Sequence, residues 1–232
     1  MKKIIALFII TFSLINFNSC KEDNDTSSNT PSYTNISLKD AQMYVGLDYN
    51  EVKPKLEAKD YMFDEHESAP NFIVFKNSDN TLWYELRLNE ETNIIYQANV
   101  FMKSKIRDNS ISNYEYCQRE CLYATNNNND YQYMGAINSF SADYDSQSEF
   151  QNAFNENKYI LAFCVEAWQS TNKLYGVAFM EINEEIHDVT ETSTIIQYDK
   201  YCLFQVVYSD LTYRPEDIEE SPIKDILNKM KK

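Results

Sequence analysis

The sequence predicts an α+β protein in which helices pack on one side of antiparallel sheets. Short runs with apolar residues at alternate positions, typical of half-buried strands, follow one another across turn-sized gaps. Stretches with the 3.6-residue period of an amphipathic helix precede each group of three such runs. We therefore expect two tandem αβββ-like units joined by a helical linker, at residues 37–107, 145–213 and 108–144 respectively.

The first unit begins with two predicted helices. Apolar residues recur at helical spacing at positions 38, 41, 44 and 45. Asp48 and Glu51 have the spacing of a capping box that begins the second helix. Pro54 lies near the start of that helix and predicts an irregular turn there. The three strands are expected at 71–76, 81–88 and 94–103.

The linker is predicted as a helix over 109–125, followed by the polar break NNNND at 126–130. Residues 131–140 fit either a helix or a strand. Ser146 and Glu149 form a second capping-box pattern, which begins the helix of the second unit. Its strands are expected at 159–168, 173–182 and 194–208, and an acidic tail with a short helix at 214–232.

The N-terminus has the pattern of an export signal. Lys2 and Lys3 precede a twelve-residue apolar run from Ile4 to Ile15, which is too short to span a membrane. The run leads to Ser19-Cys20, an ending that resembles bacterial lipoproteins of the signal-peptidase-II type, with Phe17 where most members have Leu. The resemblance implies that residues 1–19 are a signal peptide and that Cys20 is the lipidated N-terminus.

The residues after Cys20 favour an outer-membrane location. KEDND at 21–25 resembles the acidic export signal of surface-exposed lipoproteins in the Bacteroidota. This implies display at the cell surface on a disordered tether, residues 20–36. The alternative is a periplasm-facing anchor, in which case the acidic run is only a solvated linker.

Charge excludes one class of partner. The net charge is −15, and it becomes −17 when Lys2 and Lys3 leave with the signal peptide. A chain this acidic repels phosphates, so we expect no nucleic-acid partner. The acidic net charge favours cationic partners or simple solubility.

The sequence carries none of the common catalytic motifs that mark an enzyme of this size. There are no nucleophile-elbow, zinc-protease, P-loop or dinucleotide-binding patterns, and there are three glycines in the whole chain. His66 and His187 each stand beside carboxylates, but one histidine in each cluster fits a solvated loop better than a metal site. No carboxylate pair stands out for glycoside hydrolysis. We expect a non-catalytic protein without cofactor or metal.

Four cysteines follow Cys20 in the sequence. Their even number permits two disulfides, and free buried thiols are the equal alternative. A catalytic pair of His187 with one of the two cysteines in strand-like runs is a third alternative. The four are Cys117, Cys121, Cys164 and Cys202.

The two tryptophans suggest a binding surface. Trp83, Glu85 and Arg87 share the polar face of the strand TLWYELRL, and Glu166 and Trp168 share a face in the second unit. We expect these five residues to face solvent and bind a ligand, because exposed tryptophans are frequent contact anchors. The alternative is that both tryptophans are packed, as large residues mostly are.

GLDYNEV at 46–52 adds a second resemblance. Together with the helix-then-strands order, it resembles the small helix-on-sheet units of the BLIP and SmpA/OmlA type. The resemblance implies a protein-binding sheet surface. The expected function is thus a surface lipoprotein that binds a protein or glycan. The alternatives are a structural subunit of an outer-membrane complex and an unrecognised hydrolase.

Overall fold

The computed structural model describes residues 36–126, 130–138, 143–158, 160–189 and 194–215. These residues form four helices and one antiparallel sheet of nine strands. The predicted α+β class is therefore confirmed. The expected signal peptide, the tether up to residue 35 and the helix of the C-terminal tail lie outside the described residues.

The helices are short except for the third. They are α1 (Leu38–Gln42), α2 (Tyr49–Glu57), α3 (Arg107–Asn126) and α4 (Gln147–Asn157). A 3-10 turn, Leu211–Tyr213, follows the last strand.

Every predicted strand is present, and three shorter or ambiguous segments add to them. Within the ambiguous stretch 131–140, Gln132–Asn138 is a strand, because it pairs with a neighbouring strand. The strands are β1 (Tyr61–Phe63), β2 (Phe72–Asn77), β3 (Leu82–Asn89), β4 (Ile94–Ser104), β5 (Gln132–Asn138), β6 (Asp143–Tyr144), β7 (Phe163–Gln169), β8 (Lys173–Val189) and β9 (Thr194–Asp210).

The sheet joins the two predicted groups of strands. Its order is β1-β2-β3-β4-β9-β8-β7-β5-β6, so β4 and β9 pair at its centre. Gln97 lies opposite Ser209 and Ser104 opposite Cys202 in this pairing. The strands of the two groups thus share one continuous sheet.

The two faces of the sheet have different surroundings. On what we call the helix face, side chains from alternate positions form one large core with all four helices. One row across this face consists of Phe75, Tyr84, Val100, Val206, Val177 and Glu166. The opposite, second face carries a smaller apolar cluster, which contains no residue of the described helices. The cluster consists of Val74, Trp83, Phe101, Tyr201 and Leu203.

Polar side chains fix the starts of the first two helices. The backbone N–H of Ser37 donates to Asp40 Oδ2 at 2.8 Å, and that of Asn50 donates to Asp48 Oδ1 at 2.7 Å. Such caps satisfy backbone donors that have no partner inside the helix. Pro54 lies within α2, which continues to Glu57.

Candidate binding groove

The first sequence-predicted site lies on the second face. Trp83 stacks on Phe101 with ring centroids 4.9 Å apart, and Glu85 accepts a hydrogen bond from Asn99 Nδ2 at 3.3 Å. Trp83 and Glu85 are buried, and the guanidinium of the half-buried Arg87 lies over the Phe72 ring. Burial raises the pKa of Glu85 to about 7, although the hydrogen bond from Asn99 and the charge of Arg87 oppose the rise.

The second predicted site lies on the helix face, beneath α3. Glu166 is fully buried, and its Oε2 accepts hydrogen bonds from Gln118 Nε2 at 2.6 Å and from Tyr114 Oη at 3.3 Å. Burial raises the pKa of Glu166 to about 7, against the lowering effect of these hydrogen bonds. Trp168 is buried beside it and packs against Tyr133.

The expectation that these residues face solvent is wrong for four of the five. Trp83 is 4% exposed and Trp168 is 2% exposed, and both glutamates are buried. The two Trp–Glu pairs lie on opposite faces of the sheet, so the fold does not bring them together. Whether any of the five contacts a ligand stays a prediction.

The four cysteines beyond Cys20 are free and buried, which is the second of the alternatives that the sequence left open. Burial raises the pKa of the thiols of Cys117, Cys121 and Cys164, and it raises that of Cys202 to about 11. A nucleophilic cysteine needs the opposite shift, because only the thiolate attacks. These environments suit apolar packing better than catalysis.

The described side chains around His66 form no recognisable metal site. Near His66, the carboxylates of Asp64 and Glu67 both pair with Lys76, at 2.9 and 2.7 Å. The side chain of His187 lies outside the described part of the chain. Among the residues that the structure describes, no three His, Cys, Asp or Glu side chains are grouped so that they could hold a metal ion.

An open groove runs between α1 and α3. Its volume is about 460 Å³. Leu38 and Ala124 contribute apolar lining, and the remaining lining residues are polar or aromatic. These are Lys39, Gln42, Tyr116, Arg119, Glu120 and Tyr123.

Two tyrosines give the groove its aromatic surface. Tyr123 is 76% exposed and Tyr116 is 43% exposed, values far above those of the packed aromatic residues. They stand seven residues apart on α3, which is about two helical turns and places them on the same side of the helix. Exposed tyrosines on a rigid helix offer flat contact area at a small cost in side-chain entropy.

One carboxylate of the groove, that of Glu120, is fixed by a backbone hydrogen bond. Glu120 Oε2 accepts a hydrogen bond from the backbone N–H of Leu38 at 2.7 Å, which joins α3 to the first residue of α1. The hydrogen bond and charge of Glu120 raise the pKa of Tyr116. Arg119 and Lys39 are exposed, and neither forms an ion pair with any described residue. The lining therefore carries two cations and one anion, and the charge of Asp40 on α1 also acts on Tyr116.

The sequence itself carries a signal for one wall of this groove. Tyr116, Arg119 and Tyr123 have the i, i+3, i+7 spacing of one helix side. The buried side of the same helix carries Tyr114 and Cys121. An exposed aromatic stripe separate from the buried stripe would have marked α3 as more than a linker.

Comparisons with known proteins add no relative. No family model, no curated protein and no solved structure matches this chain. Within the described ranges, no helix combines the length and the apolar character needed to cross a membrane.

Proposed function

We propose that this chain is a lipoprotein of the outer membrane, anchored through Cys20 and displayed at the cell surface, that binds a protein or glycan ligand without transforming it. The observation that carries the binding role is the open groove between α1 and α3. It combines two exposed tyrosines with an arginine and a lysine that have no ion-pair partner among the described residues. Tyrosine and arginine are the residue types that dominate binding energy at interfaces.

The anchor is tested independently of the groove. Replacing Cys20 with Ala should abolish acyl labelling and move the protein from the membrane to the soluble fraction. Replacing Glu22, Asp23 and Asp25 with Ala should leave acyl labelling intact and reduce protease cleavage on whole cells. An unchanged membrane fraction in the first variant contradicts the anchor, and equal cleavage in the second contradicts surface display.

The groove is tested by ligand capture. The purified protein is applied to arrays of glycans and of extracellular proteins, in parallel with Tyr123→Ala and the control Ile160→Ala. Both side chains are large and exposed, at 76% and 69%, but only Tyr123 lines the groove. We expect a ligand that the wild type and the control bind and that Tyr123→Ala does not. A ligand bound equally by all three proteins would place binding elsewhere.

The first alternative is a structural subunit of an outer-membrane complex. The resemblance to SmpA/OmlA-type units supports it, as does the inference that the two groups of strands derive from two tandem helix-and-sheet units. A partner that copurifies in fixed proportion from detergent-solubilised membranes would favour this role over ligand capture. The second alternative is an unrecognised hydrolase with a carboxylate or cysteine site, and the buried thiols give no support to the cysteine form of it.

A further inference from the structure

We infer that the C-terminal segment 216–232 docks as a short helix on the second face of the sheet and covers the apolar cluster there. This docking goes beyond the proposed function and does not depend on what the groove between α1 and α3 binds. Trp83, Phe101 and Leu203 of the cluster are between 1% and 4% exposed. No residue of the described helices belongs to the cluster, so these helices do not account for its burial.

Burial on the second face extends past the apolar cluster. Glu85 and Gln205 share this face with Trp83 and Leu203, because each stands two residues away along the same strand. On a sheet face that looks to water, polar side chains such as these are the exposed ones. Both are buried instead. A cover from outside the described ranges accounts for this burial.

The tail has the sequence pattern of an amphipathic helix of the right length. Ser221 is a preferred helix cap, and Pro222 is a preferred first residue. Apolar side chains follow at the i, i+3, i+4, i+7 spacing of one helix side, namely Ile223, Ile226, Leu227 and Met230. A helix over 222–230 is about 14 Å long. The cluster draws on β2, β3, β4 and β9, which together span about the same width at about 4.8 Å between neighbours.

The described chain ends beside the second face. Asn89, the last residue of β3, donates a hydrogen bond from Nδ2 to the backbone oxygen of Tyr213 at 3.1 Å. Burial raises the pKa of Tyr96, and the charges of Arg87 and Arg214 oppose the rise, so both guanidinium groups lie near this ring. Arg87 belongs to the second face. The tail therefore starts at the end of the face that it is inferred to cover.

The first part of the tail has the length and the charge to bridge from there to the cluster. Arg87 and Trp83 stand four residues apart on β3, which is about 13 Å. Residues 216–221 reach about 20 Å when extended. This stretch holds four carboxylates, those of Glu216, Asp217, Glu219 and Glu220. Arg87 and Arg214 form no ion pair with any described residue, so they are open to pair with these carboxylates.

The N-terminal parts of the chain fit the same position less well. The tether at 21–35 holds one aromatic residue, Tyr33, and no aliphatic side chain larger than proline, so it has no apolar side to lay on the cluster. The apolar run at 4–15 leaves with the proposed signal peptide, and this step alone uses the proposed anchor. The tail combines an apolar helix side with a start beside the second face.

The test uses the two tryptophans as reporters, because they lie on opposite faces of the sheet. A paramagnetic label is attached at Asn228→Cys, on the polar side of the predicted tail helix, in the mature chain with Cys20→Ala. The four remaining cysteines are buried, so the new thiol takes the label. The indole N–H signals of Trp83 and Trp168 are then compared by NMR with the label oxidised and reduced. Their strands, β3 and β7, stand four positions apart in the sheet, which is about 19 Å.

We expect the oxidised label to remove most of the Trp83 signal and to leave the Trp168 signal largely intact, because paramagnetic broadening falls steeply with distance. Replacing both Ile226 and Leu227 with Ser in the labelled chain should restore the Trp83 signal, since it removes the apolar contacts of the tail. The control Asp225→Ser changes the opposite side of the helix and should leave the loss as it was. An unchanged Trp168 chemical shift shows that each variant is folded.

Three outcomes overturn the inference. The first is a Trp83 signal that the label leaves unchanged, and the second is a greater loss at Trp168, which would put the tail on the helix face. The third uses a mixture of labelled chain without ¹⁵N and unlabelled chain with ¹⁵N. A Trp83 loss in that mixture would mean that the tail comes from a second copy. None of these outcomes bears on the groove, for which the array result with Tyr123→Ala decides separately.

Discussion

Glu166 is expected to make the fold less stable as the pH rises from weakly acidic to weakly basic. Burial beneath α3 raises the pKa of its carboxyl group from 4.5 to about 7. Between these two values the folded chain holds a proton that the unfolded chain has lost. By linkage, the free energy of unfolding therefore falls as the pH rises through this window. Below about pH 4.5 both states are protonated, and the stabilisation is fully present.

The size of the effect follows from the window. At about 1.36 kcal/mol for each pH unit, the interval from 4.5 to about 7 corresponds to a loss of about 3 kcal/mol. This is a large share of the roughly 5–15 kcal/mol that is typical of a folded domain. Glu85, whose pKa is also raised to about 7 by burial, should add a second loss of about the same size.

The assay is urea denaturation at a series of pH values between about 4 and about 8, which bracket the window. Glu166→Gln keeps the shape of the side chain and its acceptor for Gln118 but removes the charge. Its stability should change less with pH than that of the wild type, with a gap that widens to about 3 kcal/mol at the basic end. The control Glu90→Gln removes the same charge from an exposed turn and should keep the wild-type slope. Parallel curves for the wild type and Glu166→Gln would refute the reasoning.

Three further predictions concern packing. Trp83→Ala and Trp168→Ala should each lower the free energy of unfolding by about 3–5 kcal/mol, and unchanged thermal melts would mean that the indoles are exposed. Gly46→Ala should cost about 1–2 kcal/mol in urea denaturation, because φ is +86° and the new Cβ would lie 3.1 Å from the Tyr213 ring. Gly176→Ala, whose Cβ would meet its nearest neighbour at 3.6 Å, is the tolerated control. Iodoacetamide should modify the four buried thiols only in urea, and rapid native-state labelling would contradict their raised pKa values.

The strands were predictable because their local patterns are strong, but the surroundings of each face were not. Alternation in TLWYELRL correctly separates Trp83 from Leu82 and Leu86. The alternation fixes which residues share a face of the strand, but it does not say whether helices or solvent cover that face. The run NFIVFK held a further signal. Val74 and Phe75 are both buried on opposite faces of β2, and runs that are apolar at every position indicate burial on both faces.

The groove was less accessible to sequence reasoning than the strands. It joins Leu38 and Lys39 of α1 to Arg119 and Tyr123 of α3, and the two segments are far apart in the chain. Only the packing of both helices on one sheet brings them together. A pattern within α3 could have suggested an exposed aromatic side, but the second wall of the groove depends on tertiary structure.

The central pairing of β4 with β9 has a consequence for how the chain folds. Gln97 meets Ser209, and Ser104 meets Cys202, so the middle of the sheet closes only when the segment 194–210 is present. Contacts between such distant residues slow folding, because a long loop must close before they form. Until then β4 keeps an open edge, the kind of edge on which other chains can pair and aggregate. Because the chain is synthesised from the N-terminus, β4 lacks its β9 partner until residues 194–210 have been made. Truncation before residue 194 leaves that edge of β4 open permanently.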